Sequence, residues 1–142
     1  VRLVAAAATA SVGTVPFVSS VGSDSGVRGS VTHHAGDDSY SVDATTLDAL
    51  TTGLIPAVVK IDVEGGEVDV LAGAPRLLAA RGSHWIVEVH SEPLREEVVR
   101  IFQTAGYRIE QIAPRRGDYG QDYVVAIPAR ADGLASAGDG AA

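Results

Sequence analysis

Val58-Val59-Lys60-Ile61-Asp62-Val63-Glu64-Gly65-Gly66-Glu67 is the stretch on which the reading of this chain turns. Its branched apolar residues at 58–63 predict a buried strand, and its paired glycines predict a turn into a helix that opens on Glu67. Lys60, Asp62 and Glu64 do not fit a plain core strand, because burying a charge is costly unless it is paired. In a strand, alternate residues share a face about 6.5–7 Å apart. Val59, Ile61 and Val63 therefore point one way, and Lys60, Asp62 and Glu64 the other.

Downstream the pattern stays regular. A helix is predicted over 67–72, ended by Gly73, and a second piece over 76–80 with Pro75 in its first turn. Val68, Leu71, Pro75 and Leu78 fall on one stripe, so the two pieces can form a single kinked helix. Residues 84–89 read as a second buried strand. Residues 93–105 form the strongest helix, with Pro93 at its start and Gly106 past its end. Its apolar face is Leu94, Val98, Ile101, Phe102 and Ala105, and Glu96 and Arg100 pair across one turn on the other face. Residues 107–112 and 123–127 read as strands of a hairpin, and 129–142 as a disordered tail. The alternation of strands and helices predicts an α/β sheet with parallel strands, and the hairpin adds an antiparallel edge.

Upstream, residues 1–9 read as a strand and 13–18 as an edge strand, since Pro16 cannot donate to a ladder. Residues 19–38 read as a long loop, with a short strand near 27–31. Residues 40–44 alternate as another strand, and Thr46 caps a turn carrying Leu47 and Leu50.

Composition narrows the function classes. With 142 residues, 46% of them hydrophobic, the chain suits one domain with a real core. It has no cysteine, which excludes disulfides and thiolate metal sites. A net charge of −7 with scattered basic residues argues against nucleic acid as a partner. No apolar run nears the ~20 residues of a membrane span, so the chain is expected to be cytoplasmic. It has no methionine and starts at Val1, as expected if the start was removed or if the chain is a piece of a longer one.

If the strands at 58–63 and 84–89 are parallel neighbours, their carboxyl ends lie together, where open α/β sheets bind ligands. Asp62, Glu64, Glu88 and His90 then converge on one crevice. His90 has the intrinsic pKa to take a substrate proton, and a carboxylate can orient its ring. The same groups suit a hard divalent cation. Plainer readings stand beside these: Lys60–Asp62 as a structural ion pair, Glu67 as a charge favoured at a helix N-terminus, and His90 as a surface or capping residue. His33, His34, Asp37 and Asp38 read as solvated loop residues, with a metal site as the alternative.

Lys60-Ile61-Asp62-Val63-Glu64-Gly65-Gly66-Glu67 resembles the signature of the FkbM family of S-adenosylmethionine-dependent methyltransferases. Val42-Asp43-Ala44-Thr45-Thr46-Leu47-Asp48 is similar to the family's upstream V-x-x-T-T-L-D segment. Val70-Leu71-Ala72-Gly73-Ala74, the strand ending Glu88-Val89-His90, and Asp24-Ser25-Gly26 also fit in order. The resemblance implies a class I methyltransferase-like (Rossmann-like) sheet, S-adenosyl-L-methionine as cofactor, and methylation of a hydroxyl on a small-molecule acceptor such as a polyketide or sugar. Asp62, Glu64 and His90 would be the catalytic residues. The family's D-x-G-x-N-x-G cofactor turn has no counterpart here. Residues 1–128 are therefore expected to be a C-terminal portion of the domain, without its first strands, whose open sheet edge would favour homo-oligomers. Two rival readings are a metal-dependent hydrolase using Asp62, Glu64 and His90, and a non-catalytic remnant.

Overall fold

The computed structural model describes residues 1–21, 27–31, 39–111 and 122–129. They form two four-stranded mixed sheets and four helices, where the sequence predicted one sheet. The first sheet contains β1 (Ala7–Ala8), β2 (Gly13–Val21), β3 (Val27–Val31) and β4 (Ser39–Thr45), in the order β1-β4-β2-β3. The predicted strand over 1–9 contracts to Ala7–Ala8, parallel to the end of β4. Alanines offer little side chain for a pleated surface to pack, and Val1 and Leu3 stand in solvent.

β2 is an inner strand, longer than predicted, and it takes Ser19, Ser20 and Val21 out of the expected loop. The rule that led to an edge assignment still holds locally. Pairing with β3 begins only at Phe17, so Pro16 has a strand on one side alone, at Ser41 of β4. Asp24-Ser25-Gly26, the histidines and acids of 33–38, the hairpin turn and the tail beyond Ala129 lie outside the described residues.

Thr46 caps α1 (Leu47–Leu50) as expected, its Oγ1 accepting from the Ala49 N–H at 3.1 Å. The second sheet then follows. It holds β5 (Val58–Ile61), β6 (His84–Val89), β7 (Tyr107–Gln111) and β8 (Asp122–Pro128), in the order β5-β6-β8-β7. β5 and β6 are parallel, and β8 runs antiparallel to both β6 and β7. Three strands thus share one direction, and the hairpin supplies the opposed one.

Helices cover one face of this sheet: α2 (Glu67–Ala72), α3 (Pro75–Ala80) and α4 (Glu92–Thr104). The first two are separate helices. Gly73 ends α2, and Ala74 between them is buried. Their inward stripe is Val70, Leu71, Ala74, Leu77 and Leu78, with Val68 packed at its margin and Pro75 exposed. α4 buries Val98 and Phe102 against Trp85 and Tyr107, with ring centroids 5.6 and 5.5 Å apart. On its outer face Arg100 pairs with Glu97, one residue from the predicted Glu96.

β5 is the outer strand, which corrects the expectation that it is buried on both sides. Ile61 enters the core, while Val58 is 56% exposed and the Lys60 side chain 54% exposed. The charges in this strand therefore face water, and the energetic conflict posed by the sequence does not arise for Lys60 or Asp62.

The sheets are joined through α1 and α3. Asp48 accepts from the N–H groups of Arg76 at 2.7 Å and Leu77 at 3.1 Å, capping α3 from far along the chain. The Arg76 guanidinium returns hydrogen bonds to Thr51 O and Oγ1, both 2.8 Å. Gly73 sits against the Thr9 carbonyl so closely that a Cβ there would overlap it. Asp48→Ala is expected to lower the unfolding free energy by about 1–2 kcal/mol, the usual range for a lost cap. Urea denaturation monitored by circular dichroism measures this, and an unchanged midpoint would rule out the cap as a stabilising contact.

Candidate active site

The parallel register Ile61↔Val87 brings the carboxyl ends of β5 and β6 side by side, as the sequence predicted. Each chain segment then leaves the sheet differently. β5 stops at Ile61, so the strict alternation does not reach Glu64. Residues 63–66 instead form a turn closed by Gly66 N–H to the Val63 carbonyl at 3.0 Å. Gly65 adopts φ +95°, a conformation that glycine takes without steric cost. β6 stops at Val89, and Ser91 caps α4 by accepting from Leu94 N–H. His90 is held between these two exits.

Its Nδ1 lies 2.7 Å from Glu67 Oε1, and its Nε2 lies 3.5 Å from Glu64 Oε2. Glu67 is fully buried, and its Oε1 also accepts from the Gly65 N–H at 3.2 Å. Its Oε2 has no partner among the described residues. A charge favoured by a helix N-terminus would sit in solvent. This carboxylate instead faces inward and braces an imidazole, a role that sequence reading did not assign to it. Three observations bear on that role: the acid lies two residues past a glycine turn, it opens a helix, and it faces a strand that ends in histidine.

Partial burial pulls the His90 pKa down, but the hydrogen bond to Glu67 and the charges of Glu64, Glu67 and Glu88 outweigh it. The net value stands above the ordinary histidine value of 6.5. Asp62 sits in the opposite regime. Lys60 Nζ, 2.6 Å from its Oδ2, holds its pKa below the usual 3.8 against a smaller opposing desolvation. The Lys60–Asp62 ion pair expected from sequence is present, with both side chains about half exposed, so it contributes at most ~1 kcal/mol. Asp62 is consequently a poor proton acceptor and His90 the better one.

Glu88, only 7% exposed, lies on the same side, and its carboxyl meets that of Asp62. Tyr123 of β8 stands opposite Glu88 in the register and near Lys60, a neighbour that no sequence motif signalled. The ligand atoms of Asp62, Glu88 and His90 all lie within 4.8 Å of one another. The three sequence-predicted residues Asp62, Glu64 and His90 are thus at one edge, with Glu64 touching His90.

A group with a raised pKa lends its charge-derived stability below its unfolded pKa and loses it as pH rises through the folded value. Stability lost in Glu67→Gln should therefore be greatest near the unfolded histidine pKa and shrink toward alkaline pH. Thermal melts of both proteins across that range test this, and a difference that grows with pH would contradict the pairing.

Among the described residues no helix is long and apolar enough to cross a membrane. No curated protein and no solved structure matches the chain. The family model described as Methyltransferase FkbM domain matches residues 5–109, which run from β1 into β7 and include every residue of the site except Tyr123. The chain belongs to the FkbM methyltransferase family.

Proposed function

We propose that this chain carries the acceptor side of a methyltransferase that uses S-adenosylmethionine to methylate a hydroxyl on a small molecule. The observation that carries the reading is the His90 imidazole, braced from behind by buried Glu67 at the carboxyl edge of β5 and β6. The shared direction of β5, β6 and β7, with β8 opposed, supports a Rossmann-like sheet of the class I kind.

An acceptor hydroxyl becomes a stronger nucleophile as it loses its proton. With Nδ1 engaged by Glu67, the lone pair of a neutral His90 is presented at Nε2, beside Glu64. The Nε2 lone pair is the functional element of this site. Asp62 and Glu64 bind and orient the acceptor around it.

The carboxylates complement the charge of a sulfonium donor. A nucleoside cradle is a different matter. The turn after β1 carries Gly13 alone, and Thr9 Oγ1 closes it onto the Ser11 carbonyl at 2.8 Å. These residues do not fit the cofactor, and no step is assigned through it. The reading is tested by joining the chain to an upstream segment that carries the family's D-x-G-x-N-x-G turn and incubating the product with methyl-labelled S-adenosylmethionine and a panel of hydroxylated metabolites. Label on an acceptor oxygen is expected. Label on nitrogen or carbon, or none, would sink the hydroxyl assignment.

A further inference from the structure

We propose that the second face of the β5-β6-β8-β7 sheet packs against the same face of a second copy of this chain, forming a two-fold dimer joined sheet to sheet. The proposal goes beyond the reaction assigned above and does not depend on it.

The helices close over the face that holds Trp85, Val87, Val124 and Ala126. Alternation sends the residues between these to the opposite face. A sheet face left to water is ordinarily polar. This one carries Val58, Ile86, Val125 and Ile127, and none of the four belongs to the core. Ile86 and Val125 lie directly opposite each other on the two inner strands, and Val58 on the outer strand is 56% exposed. A contiguous apolar patch framed by charges marks a docking surface.

Charge says what covers it. The register joins Lys60, Ile86, Val125 and Glu110 into one row across all four strands. The row starts with a cation on β5, passes through two aliphatic side chains and ends with an anion on β7. Both charged side chains are about half exposed. Such a row is complementary to itself when turned end for end. A two-fold axis between the two sheets, running along the strands midway between β6 and β8, makes that turn. It sets Lys60 over the partner's Glu110 and Ile86 over the partner's Val125, and symmetry repeats both pairs. One row along, Glu88 comes over the partner's Tyr123, because Glu88 and Tyr123 share a register position. An axis across the strands would instead set Lys60 on the partner's Lys60 and Glu110 on the partner's Glu110. Like charges so placed repel, which excludes that arrangement.

No charge is stranded by the contact. Lys60 keeps Asp62 and Glu110 keeps Arg108 within their own chain, so each pair extends into a longer network. Sheets packed face to face lie about 10 Å apart. The face is four strands wide but short, at the low end of specific interfaces, so the dimer is reversible rather than permanent. It uses the face of the sheet and leaves the open edge of β5 free of the contact.

Sedimentation velocity of the whole chain over a concentration series tests the proposal. A monomer–dimer equilibrium is expected. Lys60→Glu and Glu110→Lys should each weaken association by about 10-fold or more, since each sets like charges together twice. Combined, they restore opposite charges and should return the dimer to within a few-fold of the wild type. A fold defect would not produce that rescue, and thermal melts of all three variants check folding directly. A monomer at every concentration would overturn the proposal, and so would a double variant that associates no better than either single one.

Discussion

His90→Ala is expected to lower the unfolding free energy by about 3 kcal/mol near neutral pH and, in the chain joined to a cofactor-binding segment, to cut methyl transfer by at least ~100-fold. The two losses have separate causes. The stability loss arises because Glu67 is 0% exposed and its Oε1 depends on His90 Nδ1 at 2.7 Å. Removing one member of a buried pair leaves the other charged and poorly solvated, at about 3–5 kcal/mol. The low end applies, because the His90 side chain is 25% exposed and water can follow its removal. The prediction has an internal control. Adding Glu67→Gln to His90→Ala removes the stranded charge and should recover a large part of the lost stability. Urea denaturation of the wild type, both single variants and the double variant gives the coupling directly. If the double variant is as unstable as the sum of the singles, the two groups do not interact as the distance implies. The loss of transfer should persist in the stabilised double variant, since neither the Nε2 lone pair nor its brace is restored.

Trp85→Ala is expected to remove about 3–5 kcal/mol, a large fraction of the stability of a small domain. Trp85 is fully buried on β6, with β5 on one side and β8 on the other, and Phe102 of α4 closes over it. Truncation opens a cavity that Phe102 and Tyr107 cannot fill without leaving their own edge contact. Trp85→Phe should cost far less. It keeps a ring in place and removes an indole N–H that has no hydrogen-bond partner among the described residues. Guanidinium denaturation followed by far-ultraviolet circular dichroism measures both. A Trp85→Ala loss below ~1.5 kcal/mol would mean that the core between sheet and helices collapses around the gap.

Much of the second half was legible before any coordinates. The bounds of β6 and α2 fall where the sequence placed them, and α4 differs by one residue at each end. These elements carry strong local signals: the apolar run Trp85-Ile86-Val87, a glycine stop, and a proline in the first helical turn. The first half was less legible for a physical reason. Strand pairing is non-local, so Gly13–Val21 could not be recognised as an inner strand from its own residues. Its partners lie far along the chain, and Pro16 carried a misleading edge signal that is true over only part of its length.

The site divides in the same way. Residue type and spacing alone picked out Asp62, Glu64 and His90 and the family to which this chain belongs. Alternation along a strand is a local rule, and the Lys60–Asp62 pair it suggested is present although Asp62 lies one residue past the strand end. It could not place Glu64, because the rule ends where the strand ends, at Ile61. Only the tertiary structure made Glu67 a buried partner of His90 and brought Tyr123 in from β8. Those relations depend on how two strand exits and a returning antiparallel strand pack in three dimensions. Burial and the charges gathered by packing, rather than residue identity, separate a poor proton acceptor at Asp62 from a better one at His90.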